Sequence, residues 1–280
     1  MKTVAIVGVG LIGGSFALAL RKAGFGGEVM GVSSQPALEA GMRSGAISRS
    51  VSLEEAAASA DVIYLAQTVD RILTTLETLG PIANSNCLIT DAGSTKVAIV
   101  QKATASIRSA TFIGGHPLAG KEQRGAAAAD ADLFRGRPYL LTPTAQETPR
   151  LEGFRLWLSR IGANVIELSA QEHDAIVALT SHLPQIVSVA LAHVLATQKN
   201  ERVTEIVGPG LQDMTRLAMS STEMWDSIFA TNKTEVLSAL EAFVASLAQV
   251  RRAVEREDIT GVFGSAATFA TAIRNQPHKT

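Results

Sequence analysis

Apolar residues in the first part of the chain fall in short, β-branched runs at 3–7, 28–32, 61–66, 87–91, 111–114, 138–142 and 164–168. Several of these runs lack period-two alternation, which predicts strands covered on both faces. Helical patterns at 11–23, 53–60, 71–79 and 96–109 separate them. Continuous apolar strands alternating with helices predict an α/β fold built on a doubly wound parallel sheet. After residue 169 the strand pattern stops. Residues 171–198, 205–219, 232–257 and 259–274 instead carry apolar positions at helical spacing, so the expected division is 1–169 and 170–280. Asn232, with Glu235 three positions on, has the form of a capping box. From there Val236, Leu237, Leu240, Phe243, Val244, Leu247 and Val250 form one broad stripe, read as core packing, with a dimer seam as the alternative.

Composition narrows the classes. Twenty-five Lys and Arg against 26 Asp and Glu give a net charge of −1, and no basic run stands out, which argues against nucleic-acid partners. Charged residues are 18 % and apolar ones 46 %, pointing to an apolar interior or a large subunit interface. A single cysteine, Cys87, excludes an internal disulfide or a multi-cysteine metal cluster and favours a reducing compartment. It is read as inert packing within a strand. The N-terminal apolar stretch has the layout of a secretory signal, but Gly8, Gly10, Gly13 and Gly14 would weaken such a helix. No other stretch reads as able to span hydrocarbon. The chain is therefore expected to be cytoplasmic, with no membrane partner and no metal.

Those glycines form G-x-G-x-x-G directly after a predicted strand and at the start of a predicted helix, with Leu11 and Ile12 between the second and third. Gly8 suits a tight turn, Gly10 a close approach to pyrophosphate, and Gly13 close helix–strand contact. A Rossmann-like dinucleotide site follows. The second strand runs into Ser33, Ser34 and Gln35, where a carboxylate for the ribose 2′-hydroxyl is usual. Two hydroxyls without a negative charge favour NADP over NAD, and Arg43 is the nearest downstream cation.

Reaction chemistry must come from other residues. Thr90-Asp-Ala-Gly-Ser94-Thr-Lys96 and Gly114-Gly-His116-Pro-Leu-Ala-Gly120 follow successive strands, whose C-terminal ends face the ligand crevice in an open α/β sheet. Thr180-Ser181-His182-Leu-Pro184-Gln185 lies in a predicted helix that its proline should bend, and Gln212-Asp-Met-Thr-Arg216 lies further on. His173-Asp174 at a helix start reads as a cap and dipole device. His193 and His278 are given no role.

In combination and order, these segments together with Trp225 resemble the prephenate and arogenate dehydrogenases, the TyrA family. The resemblance spans Gly8 to Trp225. It implies a Rossmann-like domain, an all-helical domain that forms a homodimer, and oxidative decarboxylation of a cyclohexadienol with reduction of NAD(P). It further implies that His116 takes the proton of the ring hydroxyl and that Ser94 holds His116 or the hydroxyl in line. An imidazole, with an unperturbed pKa of about 6.5, suits that task. Arg216 would grip a substrate carboxylate, Ser181 and His182 would line the pocket, and Glu122 would stand at its entrance. Gln185 occupies a position where many prephenate-specific members carry histidine, which opens arogenate or dual use. Trp225 is either core or pocket wall. The chain's length leaves no room for an ordinary appended regulatory or chorismate mutase domain. Two other readings are a β-hydroxyacid dehydrogenase or imine reductase of similar layout, and a non-catalytic dinucleotide-binding redox sensor. Lys199 and Lys233 are poorly placed for the first. The second leaves Ser94, His116 and Arg216 unexplained.

Overall fold

The protein is described by a computed structural model over residues 1–143 and 147–275. These form two compact units, Met1–His173 and a second that begins at Asp174.

The first unit runs β1 (Thr3–Val7), α1 (Leu11–Lys22), β2 (Glu28–Val32), α2 (Gln35–Arg43), β3 (Arg49–Ser50), α3 (Leu53–Ser59), β4 (Val62–Leu65), α4 (Val69–Leu79), β5 (Leu88–Asp91), α5 (Val97–Ser106), β6 (Thr111–Pro117), β7 (Pro138–Pro143), α6 (Pro149–Arg160) and β8 (Asn164–Glu167). They build one sheet in the order β3-β2-β1-β4-β5-β6-β7-β8. Alternate residues of β1 and β4 feed opposite sides of it: Val4, Ile6, Val62 and Tyr64 pack with Phe16, Leu20 and Phe154, while Ala5, Val7, Ile63 and Leu65 pack with Ile72 and Leu76.

Three elements lie outside the predicted ones. β3 is two residues long; α2 buries only Leu38 and Gly41; α6 opens on Pro149 behind a Thr148 cap, whose hydroxyl accepts from Leu151 N at 3.2 Å. The sheet is parallel, as expected, except at one place, where β6 and β7 pair antiparallel. Between them lies no crossover helix, only a 3₁₀ turn at Ala126–Ala128, so the chain returns in the opposite sense.

That reversal shapes the end of β6. Its pairing with β5 stops at Thr90↔Ile113, whereas Gly114–Pro117 pair with β7 alone. On the side that β5 has vacated, two side chains replace the ladder. Asp91 Oδ1 accepts the Gly115 N–H at 3.0 Å, and Lys96 Nζ donates to the Gly115 carbonyl at 2.8 Å. Lys96 and Asp91 also form an ion pair with both side chains fully buried, and Asp91 Oδ2 accepts Gly93 N at 2.8 Å.

α7 (Ala170–Val177) starts in the first unit and leads into the second. It continues as a π-helical turn, Ala178–His182, and then α8 (Leu183–Ala196). The turn sits just before Pro184, which has no N–H for the helix ladder. α9 (Pro209–Thr215), a 3₁₀ turn at Arg216–Met219, α10 (Thr222–Thr231), α11 (Lys233–Glu255) and α12 (Thr260–Arg274) follow. α9 begins at a proline, which is suited to a first helical turn but not to an interior, so the predicted helix over 205–219 is shortened. The capping box is not formed. Asn232 precedes α11 without a side-chain cap, and its Nδ2 instead donates to the Asp174 carbonyl at 2.9 Å and lies 3.3 Å from His182 Nδ1. Of the predicted stripe Val236 is buried, while Leu237, Val244 and Leu247 are exposed.

The reading that no stretch beyond the N-terminus is long and apolar enough to span a membrane is also corrected. Ala170–Ala196 is helical over 27 residues with a window of mean hydropathy 1.6, of which 28 % is buried. Its only acidic or basic residues, Glu172 and Asp174, sit at its start, so no charge interrupts the rest. Within it Asp174, His182, Gln185 and Ser188 are buried.

Two expectations follow. Replacing Lys96 with Met should destabilise the protein by about 3–5 kcal/mol, because it leaves Asp91 charged and buried. The double variant Asp91→Leu/Lys96→Met should not recover that loss, since the Gly115 N–H and C=O would both be orphaned; urea unfolding of the three proteins measures this. Asp61 accepts from the N–H groups of Lys2 (2.5 Å) and Thr3 (3.2 Å) and from Arg150 Nη1 (2.6 Å). Partial burial pushes its carboxyl up, but the Lys2 N–H, the Arg150 guanidinium and the Thr3 N–H together hold it below the usual 3.8. A depressed folded-state value stabilises above the unfolded one and is lost as pH falls through the folded one. The difference in Tm between wild type and Asp61→Asn should therefore be present at pH 7 and shrink below about pH 4.

Candidate active site

The N-terminal turn has the geometry of a phosphate cradle. Gly8 has φ +98°, donates to the Val32 carbonyl at 2.9 Å, and a Cβ on it would lie 2.4 Å from the Ala66 carbonyl oxygen. A Cβ on Gly13 would lie 2.2 Å from the Gly8 carbonyl oxygen, so α1 can approach β1 this closely only with glycine there. Gly10, the N-cap of α1, faces open space, with nothing within 4 Å of its Cβ position. Leu11 and Ile12 open α1 behind it, half-buried. Bare glycine backbone beside the N–H groups of a helix start fits the pyrophosphate of a dinucleotide. Ser33 follows β2, and Ser34 is the N-cap of α2, its hydroxyl making no capping bond. Arg43 lies at the other end of α2, exposed and 4.0 Å from Glu39, on the order of 13 Å along the helix from Ser34.

His116 is the last but one residue of β6 and is 8 % exposed. Its neighbour Gly115 is held on one side by Asp91 and Lys96 and on the other by β7, where His116 itself stands opposite Leu140. Its Nδ1 lies 2.8 Å from Nε2 of His173, with the ring planes at 55° and the ring centres 5.0 Å apart. The reading of His173-Asp174 as a cap is corrected: both are fully buried, and Ser169 caps α7, its hydroxyl accepting from Glu172 N at 3.1 Å. Sequence reasoning missed His173 because helix-start position outweighed residue type. It also quoted Asp91 and Lys96 within a motif without giving either a task. Ser94 lies half-buried on the loop between Asp91 and Lys96, and Glu122 is exposed on the connection between β6 and β7.

In the second unit, Ser181 is exposed and His182 buried at the π-helical turn. His182 meets Trp225 edge-on with ring centres 5.8 Å apart, and Trp225 packs on Phe229 at 5.3 Å. The Trp225 indole N–H is buried with no acceptor among the described residues. Gln185 is buried, and its amide is engaged at both ends: Nε2 donates to the Leu217 carbonyl at 3.0 Å and Oε1 accepts from Ser220 Oγ at 3.4 Å. It thereby fixes the 3₁₀ turn that Arg216 opens, Arg216 itself being exposed. His193 is exposed near the end of α8, and His278 lies outside the described residues. Cys87 directly precedes β5, buried, its thiol pushed up to about 12 by burial.

Comparison with known proteins agrees with this layout. Residues 16–167 match the family described as prephenate dehydrogenase, nucleotide-binding domain, and residues 169–265 match prephenate dehydrogenase, dimerization domain. The prephenate dehydrogenase of Bacillus subtilis is 35 % identical over 269 residues, 93 % of this chain and 72 % of that protein. The crystal structure of prephenate dehydrogenase from A. aeolicus in complex with hydroxyphenyl propionate and NAD+ superposes with a TM-score of 0.91 at 30 % identity over 98 % of both chains. Synechocystis arogenate dehydrogenase gives 0.81 at 29 % identity over 98 % of this chain and 99 % of that one. With a glycine cradle at one strand end and a buried histidine at another, and with likeness running over nearly all of this chain, the chain belongs to the prephenate dehydrogenase family.

Proposed function

We propose that the chain catalyses oxidative decarboxylation of prephenate to 4-hydroxyphenylpyruvate, of arogenate to tyrosine, or of both, in tyrosine biosynthesis. The observation that carries this reading is His116, a buried imidazole fixed at the C-terminal end of a strand in the same unit as the dinucleotide cradle. Residues 1–169 bind the dinucleotide and residues 170–280 serve substrate binding and pairing.

His116 Nε2 takes the proton of the substrate's carbinol hydroxyl, raising electron density on the carbon that bears it. A dinucleotide held at the Gly8, Gly10 and Gly13 turn would supply the nicotinamide that accepts the hydride released by this carbon. The carboxylate on the quaternary ring carbon departs as CO₂ and its bonding pair completes the aromatic ring, whose oxygen recovers the proton from His116. Ser94 aligns the hydroxyl with the imidazole. Arg216 binds a substrate carboxylate through its planar guanidinium. Ser181, His182, Gln185, Glu122 and Trp225 complete the substrate's surroundings. The Gln185 amide is already engaged with Leu217 and Ser220, which supports a task in shaping the Arg216 turn.

NADP is the favoured cofactor and NAD the alternative. Ser33 and Ser34 present hydroxyls at the start of α2, where a 2′-phosphate meets no carboxylate on residues 33–35. A homodimer is supported by the matched dimerization domain and by exposed Leu237, Val244, Leu247, Phe263 and Phe269. A cytoplasmic location suits a chain whose only cysteine is buried.

The test follows absorbance of reduced nicotinamide with prephenate and with arogenate, each offered with NAD and NADP. Turnover of at least one acid is expected, with the higher kcat/KM for NADP. His116→Asn should keep cofactor affinity and lose about 10²–10⁴ in kcat. Inactivity of the wild type toward both acids, or near-normal turnover by His116→Asn, would remove the proposal.

A further inference from the structure

We infer that His173 is a positioning residue that sets the tautomer of His116 and carries part of its charge after proton transfer. The inference rests on the base role proposed above. At 2.8 Å the His116 Nδ1 and His173 Nε2 atoms share one hydrogen, because two N–H groups cannot point at each other across that gap. Two arrangements are possible for neutral rings. If His173 donates, His116 carries its own proton on Nε2 and has no lone pair there to receive another. If His116 donates through Nδ1–H, Nε2 is bare and faces the substrate as a base. Only the second arrangement supports catalysis, and it requires His173 to be an acceptor at Nε2, hence neutral with its proton on Nδ1.

When Nε2 of His116 then takes the substrate proton, the same Nδ1–H···Nε2 contact becomes a charge-assisted hydrogen bond from an imidazolium. His173 in this way does for His116 what a carboxylate does in a serine-hydrolase triad, but without a negative charge. The pair is held from both sides. His116 is on a strand fixed through Gly115, and His173 is fully buried, with its backbone N–H bonded to the Ser169 carbonyl at 2.9 Å.

Two measurements test this. The first needs no substrate: long-range ¹H–¹⁵N correlation spectra of the imidazoles, with His116 assigned by its absence in His116→Asn. Above the pH at which His116 becomes neutral, wild type should show Nδ1 protonated and Nε2 bare. His173→Gln, which keeps an acceptor oxygen, should preserve that form, and His173→Leu should move His116 toward the Nε2–H form that dominates in free imidazole side chains. The second is a kinetic cycle. His173→Leu should lower kcat about 10–100-fold, as loss of an orienting partner does, with KM changed less than about twofold and cofactor affinity retained. His173→Gln should recover most of that loss. The double variant His116→Asn/His173→Leu should be no slower than His116→Asn alone.

Wild-type His116 found with its proton on Nε2 would overturn the inference, as would His173→Leu at full kcat or losses that add in the double variant. If His173→Leu does not fold, the wild-type and His173→Gln spectra decide. A wild type inactive toward both acids would remove the proposed function while the spectra still ruled on the tautomer.

Discussion

A strand that outlives its neighbour exposes backbone donors and acceptors with nothing to meet, and at Gly115 this occurs inside the protein. Asp91 and Lys96 resolve it by acting as a substitute strand one residue long, the carboxylate taking the N–H and the ammonium the carbonyl. Removing two charges from water costs several kcal/mol each, and an isolated buried pair often fails to return that cost against an apolar replacement. Here the comparison differs, because an apolar pair would also leave two buried backbone groups unsatisfied, at about 1–3 kcal/mol each. The ion pair is therefore tied to the conformation of β6, and the conformation of β6 fixes His116.

The reversal of β7 makes this extension possible. In a parallel arrangement the chain would leave β6 for a crossover helix, and His116 would sit on a loop. With β7 running antiparallel, the ladder continues through Gly114, Gly115 and His116 to Pro117, and the catalytic candidate stands on a rigid element. Such placement limits the imidazole to small excursions, which matters for a base whose efficiency depends on sub-ångström alignment.

In the second unit a different device orders the polar residues. The π-helical turn before Pro184 places His182 inward against Trp225 and Asn232, and Gln185 one helical turn on reaches the carbonyl of Leu217. Asn232 spans from the head of α11 to Asp174, so the start of one helix is fastened to another by a side chain that sequence spacing assigned to capping. Capping is local, and a nearby buried carbonyl offered the same amide a drier bond.

The glycine fingerprint, the alternation of strands and helices, the change to all-helical character and the motif order were written in the sequence, because each depends on spacing along the chain and on local sterics at Gly8 and Gly13. Hydrophobic periodicity reports what is buried, so it located seven of the eight strands and passed over α2, whose apolar face is thin, whereas the Leu151, Phe154 and Leu158 stripe of α6 was present in the sequence and went unread. The direction of β7, the task of Asp91 and Lys96, and the meeting of His116 with His173 were decided only by the tertiary structure. Residues 57 positions apart come within 2.8 Å through the path of the whole sheet, and no local rule of spacing encodes that distance.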